Sequence, residues 1–268
     1  MENARKIIFD LLLEYFVKKN NLSDLIDKYL KIKRPKSQDK SLIYNISKGV
    51  VRRYITLDFL ISVVSGLKIE KIDISSLIAL RIALFQIIFL TRIPDYSSVS
   101  ESVSIIKEIK GQKSANFVNA VLRKATRIKN LSEFLEDNIG KIEDRNKQES
   151  VRHSFPEWLI RYWSKSYNPD TLRKIIEYLN NNPEFYFRVN SLKISEKTLY
   201  DKISILSGKV YEKFFGGTAF KIKDNFEQFI NSEFISKGLS FVQNLTSQAA
   251  IKYFLGPVPG EKILDIGS

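Results

Sequence analysis

Residues 75–90 constrain the fold more than any other stretch, because apolar side chains occupy almost every position around a helix drawn through them. A helix of this kind must be covered on every side by other elements. The chain has 268 residues, of which 44% are hydrophobic, so it can provide that cover and still bury a second core. We therefore expect residues 75–90 to form the central helix of a bundle.

The segments on either side repeat apolar residues at spacings of three and four, which predicts amphipathic helices rather than strands. In residues 3–19 the apolar stripe comprises Ile7, Ile8, Leu11, Leu12, Tyr15 and Phe16. Further helices are predicted over residues 23–30, with Ser23 as the N-cap, from residue 37 or 38 onward, and over residues 58–65, 97–109 and 114–128. Residues 1–130 contain no predicted strand, so we assign them to an all-α bundle domain.

The remainder of the chain has a different organisation. Residues 131–150 are acidic and poor in apolar side chains, so we interpret them as the connection between domains. Residues 151–242 are predicted to form a small α+β domain. Helices are expected from about residue 156, over 169–179 and 195–206, and for most of 226–234. Strands are expected at 185–189, 209–214, 218–222 and 239–242, with a turn at Gly216-Gly217. Residues 243–268 begin a third domain, with a helix ending near Phe254.

The net charge of +13 is concentrated in the first domain. Residues 1–130 hold 24 Lys and Arg against 12 Asp and Glu, and the rest of the chain holds 19 against 18. Such a bias favours a polyanion as partner, and nucleic acid is the default choice, because Lys and Arg displace the counterions of phosphates. The alternatives are a lysine-rich surface that only aids solubility, or a membrane surface, which the lack of a basic helix with an exposed aromatic face disfavours.

Eight basic residues are candidates for contact with RNA. Six lie at helix ends or on one outer helical face: Arg5, Lys6, Lys36, Lys40, Arg52 and Arg53. Arg123 follows an apolar stripe and is interpreted either as an RNA contact or as part of a salt bridge within the bundle. Arg188, at the end of an aromatic strand, is the candidate of the middle domain. Asn119 and Glu101 are expected to form structural hydrogen bonds between helices.

Other side chains exclude several kinds of chemistry. The sequence has no cysteine, which excludes disulfides, zinc–thiolate sites and thiolate nucleophiles within these residues. Its single histidine, His153, removes most histidine-based metal sites. His153 is expected at the surface, and Trp158 and Trp163 in a core or between domains rather than stacked on bases. No apolar run approaches the roughly 20 residues of a membrane span, and the N-terminus is not a signal peptide, so we expect a cytoplasmic protein.

The final stretch reads as a strand that enters a ligand loop. A Pro- and Gly-containing turn precedes the apolar residues 263–266, and Gly267 follows at once. Asp265, Gly267 and Ser268 are therefore candidate cofactor-binding residues, since glycine lets backbone N–H groups approach a ligand. The alternative for Asp265 is that it only caps a turn.

About a dozen fragments occur in the order known from one enzyme family. Those of residues 1–130 resemble the NusB-like RNA-binding domain: Asp39-Lys40-Ser41, Gly49-Val50-Val51-Arg52, Leu57-Asp58, Leu80-Arg81-Ile82, Arg92-Ile93-Pro94, Glu101-Ser102-Val103 and the block Phe117 to Arg123. The later ones resemble RsmB-type ribosomal RNA cytosine methyltransferases: Phe155 to Leu159, Arg188-Val189-Asn190, Gly238 to Gln243, Ser247-Gln248 and Pro259 to Asp265. The resemblance covers the whole chain.

The resemblance implies a NusB-like bundle and a small linking domain that hold small-subunit ribosomal RNA, ahead of a Rossmann-like domain that binds S-adenosylmethionine and methylates carbon five of a cytosine. In that family two cysteines perform the chemistry, and we expect both beyond Ser268, so that this chain would be a truncated part without catalytic residues. It further implies that residues 263–266 form the first strand of the methyltransferase domain, with Asp265, Gly267 and Ser268 at the edge of its cofactor loop.

Two rival hypotheses remain at this stage. One is a stand-alone RNA-binding protein that acts like the NusB antitermination factor, for which residues 155–268 would have no evident use. The other is a different S-adenosylmethionine or nucleotide enzyme that shares only the terminal strand, which the N-terminal fragments disfavour.

Overall fold

The computed structural model describes residues 3–90, 93–181, 184–207, 211–222, 229–256, 258 and 260–264. The chain divides into two compact units, residues 1–180 and residues 181–268. Among the described residues, the first unit is helical and the second combines helices with one antiparallel sheet. The predicted order, an all-α bundle followed by a small α+β region, is confirmed.

The first unit contains helices α1 to α10. Their bounds are α1 Ala4–Lys18, α2 Leu22–Lys33, α3 Ser37–Ser65, α4 Ile74–Phe89, α5 Asp95–Lys110, α6 Gln112–Thr126, α7 Leu131–Gly140, α8 Arg145–His153, α9 Glu157–Trp163 and α10 Pro169–Asn180. Helix α4 is the central helix that its composition predicted, because every side chain from Ser75 to Gln86 is buried. Its neighbours present their apolar stripes to it, including Ile7, Ile8, Leu11 and Leu12 of α1.

Two helix boundaries differ from the sequence-based expectation. Asn21, not Ser23, caps α2, since Asn21 Oδ1 accepts the backbone N–H groups of Ser23 at 2.8 Å and Asp24 at 3.3 Å. Residues 37–65, predicted as two helices, form the single 29-residue helix α3. The β-branched residues of its middle lower helix propensity, but Val50 and Thr56 are buried, and tertiary packing outweighs propensity.

Residues 131–150, which we expected to be a connection, contain α7 and most of α8. Leu135, Ile139 and Val151 are buried in the core of the first unit, so a few apolar side chains at helical spacing are enough to anchor a mostly polar surface. Residues 151–180 also pack within this unit, where Ile160, Leu172 and Ile176 form a small core of their own. The two units thus divide after Asn180, whereas we expected the boundary within residues 131–150.

The second unit is built on a four-stranded sheet. Strands β1 Tyr186–Val189, β2 Tyr211–Phe214, β3 Ala219–Ile222 and β4 Ser240–Val242 lie in the order β2-β3-β1-β4, and every neighbouring pair is antiparallel. The predicted hairpin around Gly216-Gly217 is confirmed for residues 211–214 and 219–222, and residues 209 and 210 lie outside the described residues. Gly217 has a φ of 109°, and its carbonyl accepts the Tyr200 hydroxyl at 2.5 Å.

Helices of the second unit pack against this sheet. They are α11 Glu196–Ser207, α12 Glu233–Ser236 and α13 Leu245–Ala249, which continues as a π-helical segment over Ala250–Leu255. The core is aromatic: the Phe187 and Phe220 rings stack with centroids 5.3 Å apart, and Phe229 meets Phe187 edge-on at 4.7 Å. Of the helix predicted over residues 226–234, residues 226–228 lie outside the described part, and Ser232 caps a new helix.

Of the terminal strand expected at residues 263–266, the described part contains only residues 263 and 264, which are exposed and carry no regular secondary structure. A strand requires a hydrogen-bonded neighbour, and no described segment pairs with these residues. Residues 265–268 lie outside the described part of the chain. None of the helices in the described ranges combines the length and apolar character needed to cross a membrane.

Candidate nucleic-acid interface

The turn between α2 and α3 concentrates positive charge at the surface. Arg34 ends α2 in the left-handed conformation, with φ of 45°, and donates its backbone N–H to Leu30 O at 3.2 Å. Pro35 then disfavours continued helix at Arg34, and Lys36 forms the extended N-cap of α3. The chain therefore reverses sharply here, which turns the basic side chains of the connector outward.

We call this surface the α2–α3 corner and define it by Lys31, Arg34, Lys36 and Lys40. All four side chains are exposed, and none has a hydrogen-bond or ion-pair partner among the residues that the structure describes. Lys36 and Lys40 were candidates from the sequence; Lys31 and Arg34 belong to the same basic connector and had not been singled out. Exposed cations without a carboxylate partner are suited to contact phosphates without reading base identity.

Arg5 and Lys6, in contrast, are engaged within the bundle. Arg5 Nε lies 2.9 Å from Glu101 Oε2 and donates its N–H to Gln86 Oε1 at 3.3 Å. Lys6 Nζ lies 3.5 Å from Glu108 and 3.8 Å from Asp10. These contacts join α1 to α4 and α5, so they give both side chains a structural role, and Glu101 acts between helices as expected.

Arg52 and Arg53 are half-buried on α3. Burial, and then the charge of Arg52, lower the pKa of Arg53 from its ordinary value. The Arg53 guanidinium lies 5.5 Å from the centre of the Phe89 ring, which provides a cation–π contact. Arg53 has no ion-pair partner among the described residues, so its charge remains available to an anion that reaches this part of α3.

Arg123 lies in a groove of about 850 Å³ between α5 and α6. Its Nε donates to Asn119 Oδ1 at 3.1 Å, one turn earlier on the same helix. Among the residues that the structure describes, neither side chain contacts another helix, so the interhelical hydrogen bond expected for Asn119 and the salt bridge considered for Arg123 are not seen there. The groove also exposes Tyr96, Gln112 and Asn116, which makes it rich in hydrogen-bonding side chains.

In the second unit, Arg188 is exposed on β1, and its guanidinium lies 5.5 Å from the centre of the Phe241 ring on the neighbouring edge strand β4. Asn190 donates its side-chain N–H to Gly238 O at 2.7 Å and so fixes the end of β1. Arg188 is thereby held over an aromatic surface with its charge outward. The cofactor candidates Asp265, Gly267 and Ser268 lie outside the described residues.

The remaining sequence candidates have defined environments. His153 is half-buried rather than at the surface; burial lowers its pKa, nearby Arg152 and Arg53 also lower it, and Glu149, 3.4 Å away, opposes them. Trp163 packs on Phe155 with ring centres 5.7 Å apart, as expected for a core residue, whereas the Trp158 side chain is 67% exposed. Within the described ranges no cluster of His, Cys, Asp or Glu could hold a metal ion.

Two arginines that the sequence did not single out, Arg145 and Arg173, line a pocket between α8 and α10. They lie in segments whose overall charge is balanced or acidic, so a local count of charges gave no signal for them. Neither arginine has a carboxylate partner within the described part of the chain, which only the fold reveals.

Comparisons with known proteins place these features in context. Residues 2–127 match the NusB family, and residues 155–213 match the domain described as "Methyltr_RsmF/B-like, ferredoxin-like domain". The "Probable ribosomal RNA small subunit methyltransferase B" of Bacillus subtilis (strain 168) is 28% identical over 257 residues, which cover 96% of this chain and 52% of the relative. The ribosomal RNA small subunit methyltransferase B of Vibrio cholerae is 24% identical over 85% of this chain and 50% of its own length.

A solved structure supports the same fold. The crystal structure of PH0851 aligns with 93% of this chain and 55% of its own chain at a TM-score of 0.56 and 17% identity. This chain spans about half the length of the curated relatives it matches. It joins a NusB-family domain to an RsmF/B-like ferredoxin-like domain, and the resemblance to RsmB-type proteins that the sequence fragments indicated is confirmed.

Proposed function

We propose that this chain is the RNA-holding part of an S-adenosylmethionine-dependent methyltransferase that modifies carbon five of a cytosine in small-subunit ribosomal RNA. The observation that carries the proposal is similarity to a ribosomal RNA small subunit methyltransferase B over 96% of the chain, across both units. The extent of that match also favours this function over a stand-alone NusB-like RNA-binding factor, which would use only the first unit.

The surface chemistry supports a role in holding RNA. The α2–α3 corner presents four cations that no described carboxylate neutralises. Each cation that meets a phosphate releases condensed counterions, so binding gains free energy without any base-specific contact. The half-buried Arg53 and the exposed Arg188 provide further cations in the first and second units, respectively.

The reaction itself needs groups that these residues do not contain. Carbon five of cytosine is a poor nucleophile, and the family activates it by adding a cysteine thiolate to carbon six. The 268 residues include no cysteine. The part of this chain in the reaction is therefore to position the RNA, and S-adenosylmethionine enters the proposal as the methyl donor of the whole enzyme.

The test is a titration of the chain with fragments of small-subunit ribosomal RNA over a series of salt concentrations. We expect the logarithm of the association constant for RNA to fall steeply and linearly with the logarithm of the salt concentration. We expect calorimetry to show negligible binding of S-adenosylmethionine. Replacing Lys31, Arg34, Lys36 and Lys40 together by Gln should reduce the salt slope by about 3, because each lost phosphate contact removes about 0.7–0.9 from it.

A matched control removes the same charge elsewhere. Lys110, Lys113, Arg127 and Lys129 are exposed at or beside the ends of α5 and α6 and do not belong to the corner, and their replacement by Gln should leave most of the slope intact. RNA binding that is absent or insensitive to salt would contradict the proposed function. Equal losses in both fourfold variants would show that net charge, and not the corner, accounts for binding.

A further inference from the structure

A small pocket lies between α8, α9 and α10 of the first unit, and its lining includes none of the residues of the α2–α3 corner. Its volume is about 260 Å³. Ile160, Leu172 and Pro169 form its apolar part, and Tyr167, which is 44% exposed, forms one side. The pocket is slightly smaller than the roughly 300–1,000 Å³ of typical small-molecule sites, so it suits one planar group rather than a large ligand.

Two arginines line this pocket without being neutralised. Arg145 and Arg173 are exposed, and neither has a hydrogen-bond or ion-pair partner among the described residues. The arginines next to them differ in this respect. Arg152 is paired with Glu136 at 2.9 Å and Glu149 at 2.7 Å, and Arg161 is paired with Glu157 and Asp144.

Arg145 and Arg173 also line a second, more open cavity of about 560 Å³, to which Arg152 and His153 contribute. Glu149 lines both cavities, and Arg152 and His153 engage its carboxylate. Glu177 lines the open cavity as well, so an anionic ligand there meets one further carboxylate beside the arginines. The two cavities share the two unpaired arginines, so an extended ligand can place one group in the small pocket and continue along the open one.

We propose that this site takes one unpaired nucleotide of an RNA strand, with its base against Tyr167 and the apolar part of the pocket and its flanking phosphates at Arg145 and Arg173. The inference rests on the proposed function and adds a specific single-stranded contact to it. Bases are planar and stack on aromatic side chains whatever their sequence, and Asn146 and the Ser164 hydroxyl line the same pocket, where they can meet the edge of a base. A peptide of acidic residues alone would satisfy the arginines but has no planar apolar group for the rest of the pocket.

The first experiment locates the base. A single-stranded RNA oligonucleotide containing 4-thiouridine is bound to the wild-type chain and photocrosslinked, and the crosslinked peptide is identified by mass spectrometry. We expect the crosslink at Tyr167 or the residues beside it. Crosslinks confined to the α2–α3 corner or to the groove between α5 and α6 would overturn the inference.

The second experiment measures affinity by fluorescence anisotropy with the same oligonucleotide. Tyr167→Leu should weaken binding roughly 5- to 150-fold, the range for loss of one stacked base, without changing the salt slope. Tyr167→Phe should bind normally, and Tyr178→Ala, which removes an exposed tyrosine of α10 outside the pocket, serves as the control. If Tyr167→Leu does not fold, the crosslink alone decides.

The phosphate contacts are tested separately. Replacing Arg145 and Arg173 by Gln should lower the salt slope by about 1.4, the value for two contacts to a single strand. The matched control replaces Lys147 and Lys174, exposed neighbours on the same two helices, and should change it little.

The outcomes separate this inference from the proposed function. If the wild-type chain binds no RNA, the proposed function fails. If it binds RNA but the Tyr167 and arginine variants match their controls, only the nucleotide pocket fails. Binding of an oligoglutamate peptide that depends on Tyr167 as strongly as RNA binding does would also overturn the assignment to a nucleotide.

Discussion

The ion pair between Arg81 and Asp58 provides the sharpest test of how the bundle is held together. Arg81, on the central helix α4, donates from Nε to Asp58 Oδ1 at 2.7 Å and from Nη2 to Oδ2 at 2.6 Å. Its side chain is 6% exposed, and its guanidinium lies 4.4 Å from the centre of the Phe16 ring. Burial raises the pKa of Asp58, and the hydrogen bonds and charge of Arg81 oppose that rise only in part.

Asp58→Asn keeps the shape of the side chain and leaves the buried guanidinium without a counter-charge. Breaking a buried pair in this way costs about 3–5 kcal/mol. Arg81→Met should also be destabilising, but less so at low pH, because the isolated Asp58 carboxyl, whose pKa burial raises, can take up a proton. The double variant Asp58→Leu with Arg81→Met should lie within about 1 kcal/mol of the wild type, since a hydrophobic replacement removes both desolvation costs.

The assay is urea unfolding followed by tryptophan fluorescence. Trp158 and Trp163 are the two tryptophans of the chain and both lie in the first unit, so the signal reports the unit that contains the ion pair. Adding the double variant Asp58→Asn with Arg81→Met closes a double-mutant cycle with the wild type and the two single variants, which isolates the pair from the separate effects of each substitution. A cost below about 1 kcal/mol for Asp58→Asn, the value for an exposed pair, would refute the reasoning.

Two further predictions concern packing and pH. Gly49→Ala should lower the free energy of unfolding by about 1–3 kcal/mol, because an added Cβ would lie 1.9 Å from Phe85 Cζ. At Gly140 nothing lies within 4 Å of an added Cβ, so Gly140→Ala should instead raise the free energy of unfolding by up to about 1 kcal/mol through helix propensity. Equal shifts of the two variants in thermal melts would contradict this reasoning. Burial lowers the pKa of His153 below the ordinary 6.5, so the unfolded chain takes up this proton more readily and stability should fall as the pH drops below about 6.5. His153→Gln should weaken that dependence in urea titrations at about pH 7.5 and about pH 5.5, and an unchanged dependence would exclude His153 as its source.

The sequence predicted best those elements whose pattern has one physical solution. A helix that is apolar all round, residues 75–90, must be central, and it is α4. The turn at Gly216-Gly217 between two β-rich segments predicts a hairpin, because glycine tolerates the positive φ that the turn requires, and β2 pairs with β3 as expected. In both cases the residues of one short segment are enough to predict its structure, and no distant residue has to be known.

The sequence predicted least where the outcome depends on partners far along the chain. Arg5 and Lys36 are both basic residues near helix ends, yet Arg5 meets Glu101 across the bundle, while Lys36 has no ion-pair partner in the described ranges. The acidic segment of α7 and α8 contains few apolar residues, and only the tertiary structure shows that Leu135 and Ile139 are buried. The pocket beside Tyr167 is assembled from three helices, so no single stretch carries its signature.

The length of α3 has a consequence for how insertions should be tolerated. Lys40 near its start belongs to the α2–α3 corner, while further along the same helix Thr56 Oγ1 donates to Val151 O at 2.6 Å and Ile55 N–H donates to Ser154 Oγ at 3.0 Å, which fixes α8. The 15 residues from Lys40 to Ile55 span about 22 Å. The helix therefore sets the distance between the α2–α3 corner and α8, the helix that carries Arg145. One residue inserted between them would rotate the corner by about 100° relative to α8, and an RNA strand that reaches both surfaces would lose one of them.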